Sequence, residues 1–290
     1  MIWAAVFTLG MLAGGLIAGL TARARDRAAR ERSLEAERRA QHGERLAELG
    51  AMTSGLAHEI KNPLSTIGLN AQLLGEAIEG LPDGRPVPAD ERQRLVRRVT
   101  SLRREVERLR GILTDFLSYA GEVRPDLARA DLNGVVEELA DFFQPQALQQ
   151  AVRLRTDLSP GEVWATIDVQ LVKQAVLNLM LNAVQAMTRG GGGDGAQAAV
   201  RELIIRTERT REGPSWRARV HVIDTGPGIA PEVLGRLFTP YFTTKAGGSG
   251  LGLATSRRLI EAQGGRIDVH TEPGKGTDFT VTLPGAEPAG

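Results

Sequence analysis

The chain contains no cysteine, which excludes disulfide bridges and thiolate metal sites and leaves the compartment undetermined. Its four histidines, His42, His58, His221 and His270, lack spacings of the HExxH kind, so no structural zinc is expected. A strong charge of either sign is also missing: the formal net charge is +1, and the molecule as a whole is no polyanion binder. With 42% apolar and 24% charged residues, the composition excludes a disordered chain. The 290 residues suffice for about two domains.

What is present begins with an apolar run. Ile2 to Leu20 is apolar or glycine throughout except for Thr8, and Arg23, Arg25, Arg27 and Arg30 follow at once. About 19 residues is close to what a bilayer core requires. A cleavable signal peptide is the rival, with Ala22-Arg23-Ala24 as a faint cleavage site, but no Lys or Arg precedes the run. The reading is a single-pass transmembrane anchor, with the positive charges keeping the remaining chain cytoplasmic. Arg23 to about Arg45 continues as a charged, proline-free helix, and no sensor domain fits there.

The next segments have helical periodicity. Leu46, Leu49, Thr53, Leu56 and Ile60 alternate by three and four, the seam of a coiled coil or bundle. At about 100° per residue, His58 lies roughly opposite that seam and faces water. A protruding imidazole beside Glu59 becomes more nucleophilic if the carboxylate orients the ring or accepts its proton; the alternative is an ordinary surface histidine. This helix runs from about Glu44 to Glu79, with Pro63 as a bend, and Leu81 to Pro88 supplies a turn. Leu95, Val99, Leu102, Val106, Leu109, Leu113 and Phe116 form the seam of a second helix. One hairpin covers two such seams poorly, so a four-helix bundle in a homodimer is the economical solution. Eight arginines between Arg92 and Arg110, interleaved with Glu91, Glu105 and Glu107, read as a solvated face rather than a nucleic-acid stripe.

Periodicity ends at Pro125, which marks a linker. Beyond it, Asp131 to Gln149 and Asp168 to Met187 read as helices, with a β-like Val152 to Leu158 between them. Leu203 to Glu208, Arg217 to Asp224, Ile267 to Glu272 and Thr277 to Leu283 alternate as strands. The mixture predicts an α/β sandwich. The expected domains are therefore 1–21 anchor, 22–45 helical linker, 46–121 hairpin, 122–130 linker, 131–285 α/β domain and 286–290 tail.

Three segments of the second domain carry binding chemistry. Asp224-Thr225-Gly226-Pro227-Gly228-Ile229 puts an acid at a strand end beside glycines, able to accept an exocyclic amine while a ligand approaches the backbone; a plain turn is the alternative. Gly247-Gly248-Ser249-Gly250-Leu251-Gly252-Leu253 precedes a helical stretch and suggests a phosphate cradle at a helix N-terminus. It is not a Walker loop, since no GK[ST] follows, nor a Rossmann fingerprint, since no strand precedes it. Asn178 and Asn182 share one face of an otherwise apolar helix, as hard ligands for a phosphate-held Mg²⁺ or as buried hydrogen-bonding asparagines.

His58-Glu59-Ile60-Lys61-Asn62-Pro63-Leu64 resembles the H box of two-component sensor histidine kinases, and the later segments resemble their N, G1, F and G2 boxes. The likeness covers roughly Leu46 to Leu283 and extends to the ATP-binding fold shared with gyrase, Hsp90 and mismatch-repair ATPases. It implies that His58 is the phosphoacceptor, Glu59 its base or orienting group, and Asn62 a holder of water for a phosphatase step. By the same resemblance Asp224 receives the adenine amino group, Gly226 and Gly228 shape the base pocket, and Asn178 and Asn182 address Mg²⁺. Phe238, Phe242, Thr244 and Lys245 match the F box and the start of the ATP lid, while Gly248, Ser249, Gly250, Leu251 and Gly252 follow the phosphates. Thr243-Thr244-Lys245 is similar to the nitrogen-regulation branch, although Ala246 stands where a proline is common. The implied protein is an inner-membrane ATP:protein histidine phosphotransferase, with ATP and Mg²⁺ as cofactors and a response-regulator receiver domain as partner. A nucleotide-driven clamp and a non-catalytic dimeric scaffold are the rival readings.

Overall fold

The computed structural model describes residues 50, 53, 55–81, 87–189, 201–245 and 248–287. The expected membrane span, the helical linker after it and most of the hairpin turn lie outside the described residues. Among the described residues no helix is long and apolar enough to cross a membrane.

Helix α1 (55–79) carries the H-box segment, with Pro63 buried inside it. Helix α2 (Ala89–Ala120) returns as one uninterrupted element. Arg108 lies 3.8 Å from Glu59 across the hairpin. Apolar side chains on both helices remain exposed, among them Leu64, Leu69, Ile78, Val96, Val99, Val106, Leu113 and Leu117. That leaves an apolar stripe uncovered by the hairpin itself.

The second domain begins in the segment read as linker. Strand β1 (Ala128–Asp131) pairs antiparallel with β3 (Trp164–Ile167), a strand the sequence pattern did not announce. Between them lie α3 (Leu132–Gln149) and β2 (Arg153–Asp157). Helix α4 (Val169–Arg189) follows β3, then β4 (Glu202–Glu212), β5 (Ser215–Asp224), a one-turn α5 (Pro231–Leu234), α6 (Gly252–Glu261), β6 (Arg266–Glu272) and β7 (Gly276–Pro284). The larger sheet has the order β2-β4-β5-β7-β6; β2 runs parallel to β4 and the other pairs are antiparallel.

Alternation along the central strands decides which face is covered. Ala218, Val220 and Val222 of β5 are buried, and the register sets Val220 beside Val281 and Val222 beside Phe279. The covering helix α4 buries Val172, Ala175, Val176, Leu179, Met180, Ala183, Val184 and Met187, steps of three and four that make one apolar stripe. Its start is fixed by Asp168, whose Oδ1 accepts from Gln170 N at 3.0 Å and Leu171 N at 3.2 Å. Because that stripe is held against the sheet, Asn178, Asn182 and Gln185 are turned to a different side.

Candidate functional site

Asp224 is the last residue of β5 and is 3% exposed. Its Oδ1 accepts from Gly226 N at 2.8 Å. Burial raises its pKa to about 6, against the opposing pull of the Gly226 and Thr277 backbone and of the Lys245 charge. The loop after it is clasped to the β6–β7 turn by Gly274 N donating to Pro227 O at 2.8 Å and Ile229 N donating to Thr271 Oγ1 at 2.9 Å. Gly228 has φ +73°, and a Cβ there would stand 2.4 Å from Glu272 O, so the clasp requires glycine.

Asp224 forms the polar end of an 800 Å³ cavity walled by Ala183, Gly228, Ile229, Val233, Leu237, Leu253 and Phe279. The size and apolar walls suit a flat heterocycle, and the single acid suits its amine. A smaller cavity of 340 Å³ shares Asn182, Gln185, Thr244, Lys245 and Leu253 with the first, and adds Asn178, Phe242, Thr243, Gly248, Ser249, Gly250 and Gly252. This end is rich in amides, hydroxyls and glycine backbone at the entrance to α6, as a polyphosphate requires.

The donor set of this end suits a hard cation. Lys245 Nζ donates to Asn182 Oδ1 at 2.6 Å and to Gln185 Oε1 at 3.0 Å, so two amide oxygens already converge on a positive charge. Neutral oxygens around a phosphate cavity fit Mg²⁺ that brings its remaining ligands from phosphate and water.

The structure thus brings Asn178, Asn182, Asp224, Gly228, Phe242, Thr244, Lys245, Gly248, Ser249, Gly250 and Gly252 to one pair of joined cavities. Gly226 lies behind Asp224 as its hydrogen-bond donor. Phe238 and Leu251 take no part in the lining: Phe238 packs against the domain core under Arg257, and Leu251 is fully buried. Leu237 and Val233 stand on the wall instead, because the segment after α5 turns them toward the cavity. His58 and Asn62 are exposed on α1 and Glu59 is half-buried; none of the three lines either cavity, although Glu59 lies within electrostatic reach of Tyr241, the neighbour of the lining residue Phe242. Sequence reasoning missed Gln185, Thr277 and Asp115. Gln185 was legible as the next position on the Asn178/Asn182 face, whereas Thr277 stands opposite Asp224 only through the β5–β7 register, which no local signal fixes. Asp115 belongs to the hairpin, and no local signal marks it.

Residues 48–121 match the His Kinase A (phospho-acceptor) domain, and residues 167–287 the Histidine kinase-, DNA gyrase B-, and HSP90-like ATPase family. Sensor histidine kinase ZraS of Klebsiella oxytoca is 35% identical over 241 residues, covering 83% of this chain and 47% of that protein. Sensory histidine kinase/phosphatase NtrB of Salmonella typhimurium is 33% identical over 250 residues, covering 84% of this chain and 64% of that one. The chain thus spans about half the length of the first of these relatives. Among solved structures, full-length ShkA in complex with AMPPNP aligns with a TM-score of 0.56 and 25% identity, over 79% of this chain and 47% of that one. Histidine kinase ThkA in complex with the response regulator TrrA aligns with a TM-score of 0.62 and 24% identity, over 84% and 64%; this likeness is one of fold.

Proposed function

The chain belongs to the sensor histidine kinases, and on that premise we propose that it transfers the γ-phosphoryl group of Mg-ATP to His58 and from there to an aspartate of a response regulator. The observation that carries the proposal is a buried carboxylate, Asp224, lining a cavity that joins a second one lined by a glycine loop at a helix N-terminus, in one chain with an exposed His58 beside a half-buried Glu59.

In this reading Asp224 accepts the adenine amine and the apolar walls hold the ring. Ser249, the loop backbone and Lys245 hold the triphosphate. A His58 ring nitrogen attacks the γ-phosphorus as the bond to the β-bridging oxygen breaks, ADP departs, and the ring proton passes to or is oriented by Glu59. Bound beside Asn178 and Asn182, Mg²⁺ supplies neutralisation of the phosphate charge that grows on the leaving oxygen. Most of the acceleration then comes from positioning and charge, since phosphoryl transfer leaves little covalent chemistry to the protein.

The finer parts of the proposal rest on other observations. The exposed apolar stripe of α1 and α2 supports homodimerisation. Asn62, one turn after His58 and exposed beside it, supports a phosphatase step of the kind in NtrB's name. The composition of Ile2 to Leu20 supports an inner-membrane anchor with the catalytic part cytoplasmic. Reporter fusions after Arg30 are expected to be active on the cytoplasmic side; mature protein beginning near Arg25 would exclude the anchor.

The direct test incubates the full chain in detergent with γ-labelled Mg-ATP. Acid-labile, base-stable label is expected on the chain, and none on His58→Gln, which should still bind ATP as before. Undiminished labelling of His58→Gln means that the acceptor is another residue. Asn62→Ala is expected to slow dephosphorylation of the regulator more than it slows autophosphorylation; equal losses would assign Asn62 to the helix bend at Pro63.

A further inference from the structure

Asp115 belongs to the hairpin, yet it lines the phosphate end of the nucleotide cavity. Its Oδ2 accepts a hydrogen bond from Ser249 Oγ at 2.5 Å, and Ser249 Oγ accepts one from Leu251 N at 3.4 Å, where α6 begins. Among the described residues no side chain caps α6 at its N-cap, Leu251. A carboxylate at that point sits at the positive end of a helix, which is the electrostatic position of a bound phosphate.

The contact is part of a fitted face. Ile112 and Tyr119 are the two buried residues of α2, and they lie one turn to either side of Asp115. From α6, Arg258 donates to Gly121 O at 2.5 Å and stands 5.4 Å over the Tyr119 ring. Arg258 attaches α6 to the end of the hairpin outside the cavity, and Asp115 attaches the phosphate loop through a hydroxyl that a phosphate would also use.

Position along the hairpin gives this attachment a consequence. Glu59 faces Arg108, and Asp115 lies seven residues further along α2. At 1.5 Å per residue that is roughly 10 Å along the helix axis. Asp115 thus ties the phosphate loop to the hairpin about two turns from the level of the Glu59–Arg108 pair, while Tyr241, whose backbone packs on Gly250 of that loop, lies within electrostatic reach of Glu59.

We propose that Asp115 is an internal stand-in for nucleotide phosphate: its carboxylate occupies the phosphate loop, holds the ATP-binding domain on the hairpin in a resting position, and is expelled by the triphosphate. The proposal rests on the reading of the joined cavities as an ATP site. Two anions in hydrogen-bonding range of one part-buried hydroxyl repel each other, so ATP and Asp115 exclude one another there. Nucleotide binding thereby loosens the Asp115 attachment and frees the phosphate loop to shift along the hairpin. A role for Asp115 as a carboxylate ligand of the nucleotide's Mg²⁺ makes the opposite prediction, because its loss would then weaken binding.

The test uses the full chain in detergent and two readouts. Asp115→Asn keeps the size of the side chain and removes its charge, and it is expected to bind Mg-ATP about three- to tenfold more tightly than the wild type. In hydrogen exchange, the amides of residues 112–121 are expected to exchange faster when Mg-ATP is added to the wild type, and equally fast in Asp115→Asn with or without nucleotide. Unchanged or weaker binding by the variant overturns the proposal, as does exchange over 112–121 that ignores nucleotide in the wild type. A wild-type chain that binds no Mg-ATP overturns the reading of the cavity itself, and the stand-in with it.

Discussion

Asp224 shows how one residue can oppose folding and serve binding. In the folded chain burial lifts its carboxyl to about 6 from an ordinary 3.8, so between those values the folded protein keeps a proton that the unfolded chain has lost. Folding is thus favoured by protonation here, and the nucleotide-free protein loses stability as pH rises from about 4 to about 6. Asp224→Asn is expected to stabilise the nucleotide-free protein by on the order of 2–3 kcal/mol at pH 8 and to leave it unchanged near pH 4. Urea unfolding at the two pH values measures the difference. The same variant should lose most of its ATP affinity, since an amide turned to donate cannot accept the adenine amine. In the wild type, affinity should fall as pH drops below about 6, where the carboxylate that accepts the amine becomes protonated. Affinity that is flat between pH 5 and 8 would remove Asp224 from the contact.

At the scale of elements, the ATP-binding domain depends on its joints. Asp131 caps α3 and ties it to the chain entering β3: its Oδ1 accepts from Asn133 N at 3.2 Å and from Val163 N at 2.8 Å. Asp131→Ala is expected to cost about 1–2 kcal/mol in urea unfolding, since a cap is lost and a second backbone donor loses its acceptor. The clasp between the Asp224 loop and the β6–β7 turn is less tolerant. Gly228→Ala forces a Cβ to 2.4 Å from backbone oxygen at φ +73° and should cost about 2–4 kcal/mol, with loss of ATP binding. Gly134→Ala within α3 meets open space and should stabilise by about 0.5 kcal/mol, which separates the clasp from a general intolerance of glycine replacement. The joints also mark where sequence patterns ran short. The helices α2 and α4 were legible because long apolar stripes at steps of three and four leave little choice. Strands β1 and β3 have four residues each, too few for an alternation to register, and β1 became a strand only because β3 lies beside it.

For the whole molecule, the exposed stripe on the hairpin predicts a dimer. Val96 at 58% and Leu117 at 60% exposure are apolar side chains that a four-helix bundle would cover. Val96→Glu combined with Leu69→Glu is expected to convert dimer to monomer in sedimentation velocity, while ATP affinity stays within about twofold because neither residue lines a cavity. Mixed dimers then decide the direction of transfer. Pairing a His58→Gln protomer with an Asp224→Ala protomer leaves one working ATP site and one working acceptor on opposite chains. Label on the Asp224→Ala chain means transfer between protomers, and an unlabelled dimer means transfer within one.

The residues by themselves determined the chemical kinds and the local frames. Asn178 and Asn182 share a face because 3.6 residues make a turn, Asp224 ends a strand because alternation stops at glycine, and His58 is exposed because the seam runs opposite. Proximity between segments distant in the chain was a different matter. That Phe238 packs inward while Leu237 lines the wall, that Gln185 shares Lys245 with Asn182, and that Asp115 of the hairpin reaches Ser249 of the phosphate loop were decided by tertiary structure alone. Periodicity is a property of neighbours three or four residues apart. The bond between Asp115 and Ser249 spans 134 residues, and it exists only because the fold sets the end of α2 beside the start of α6.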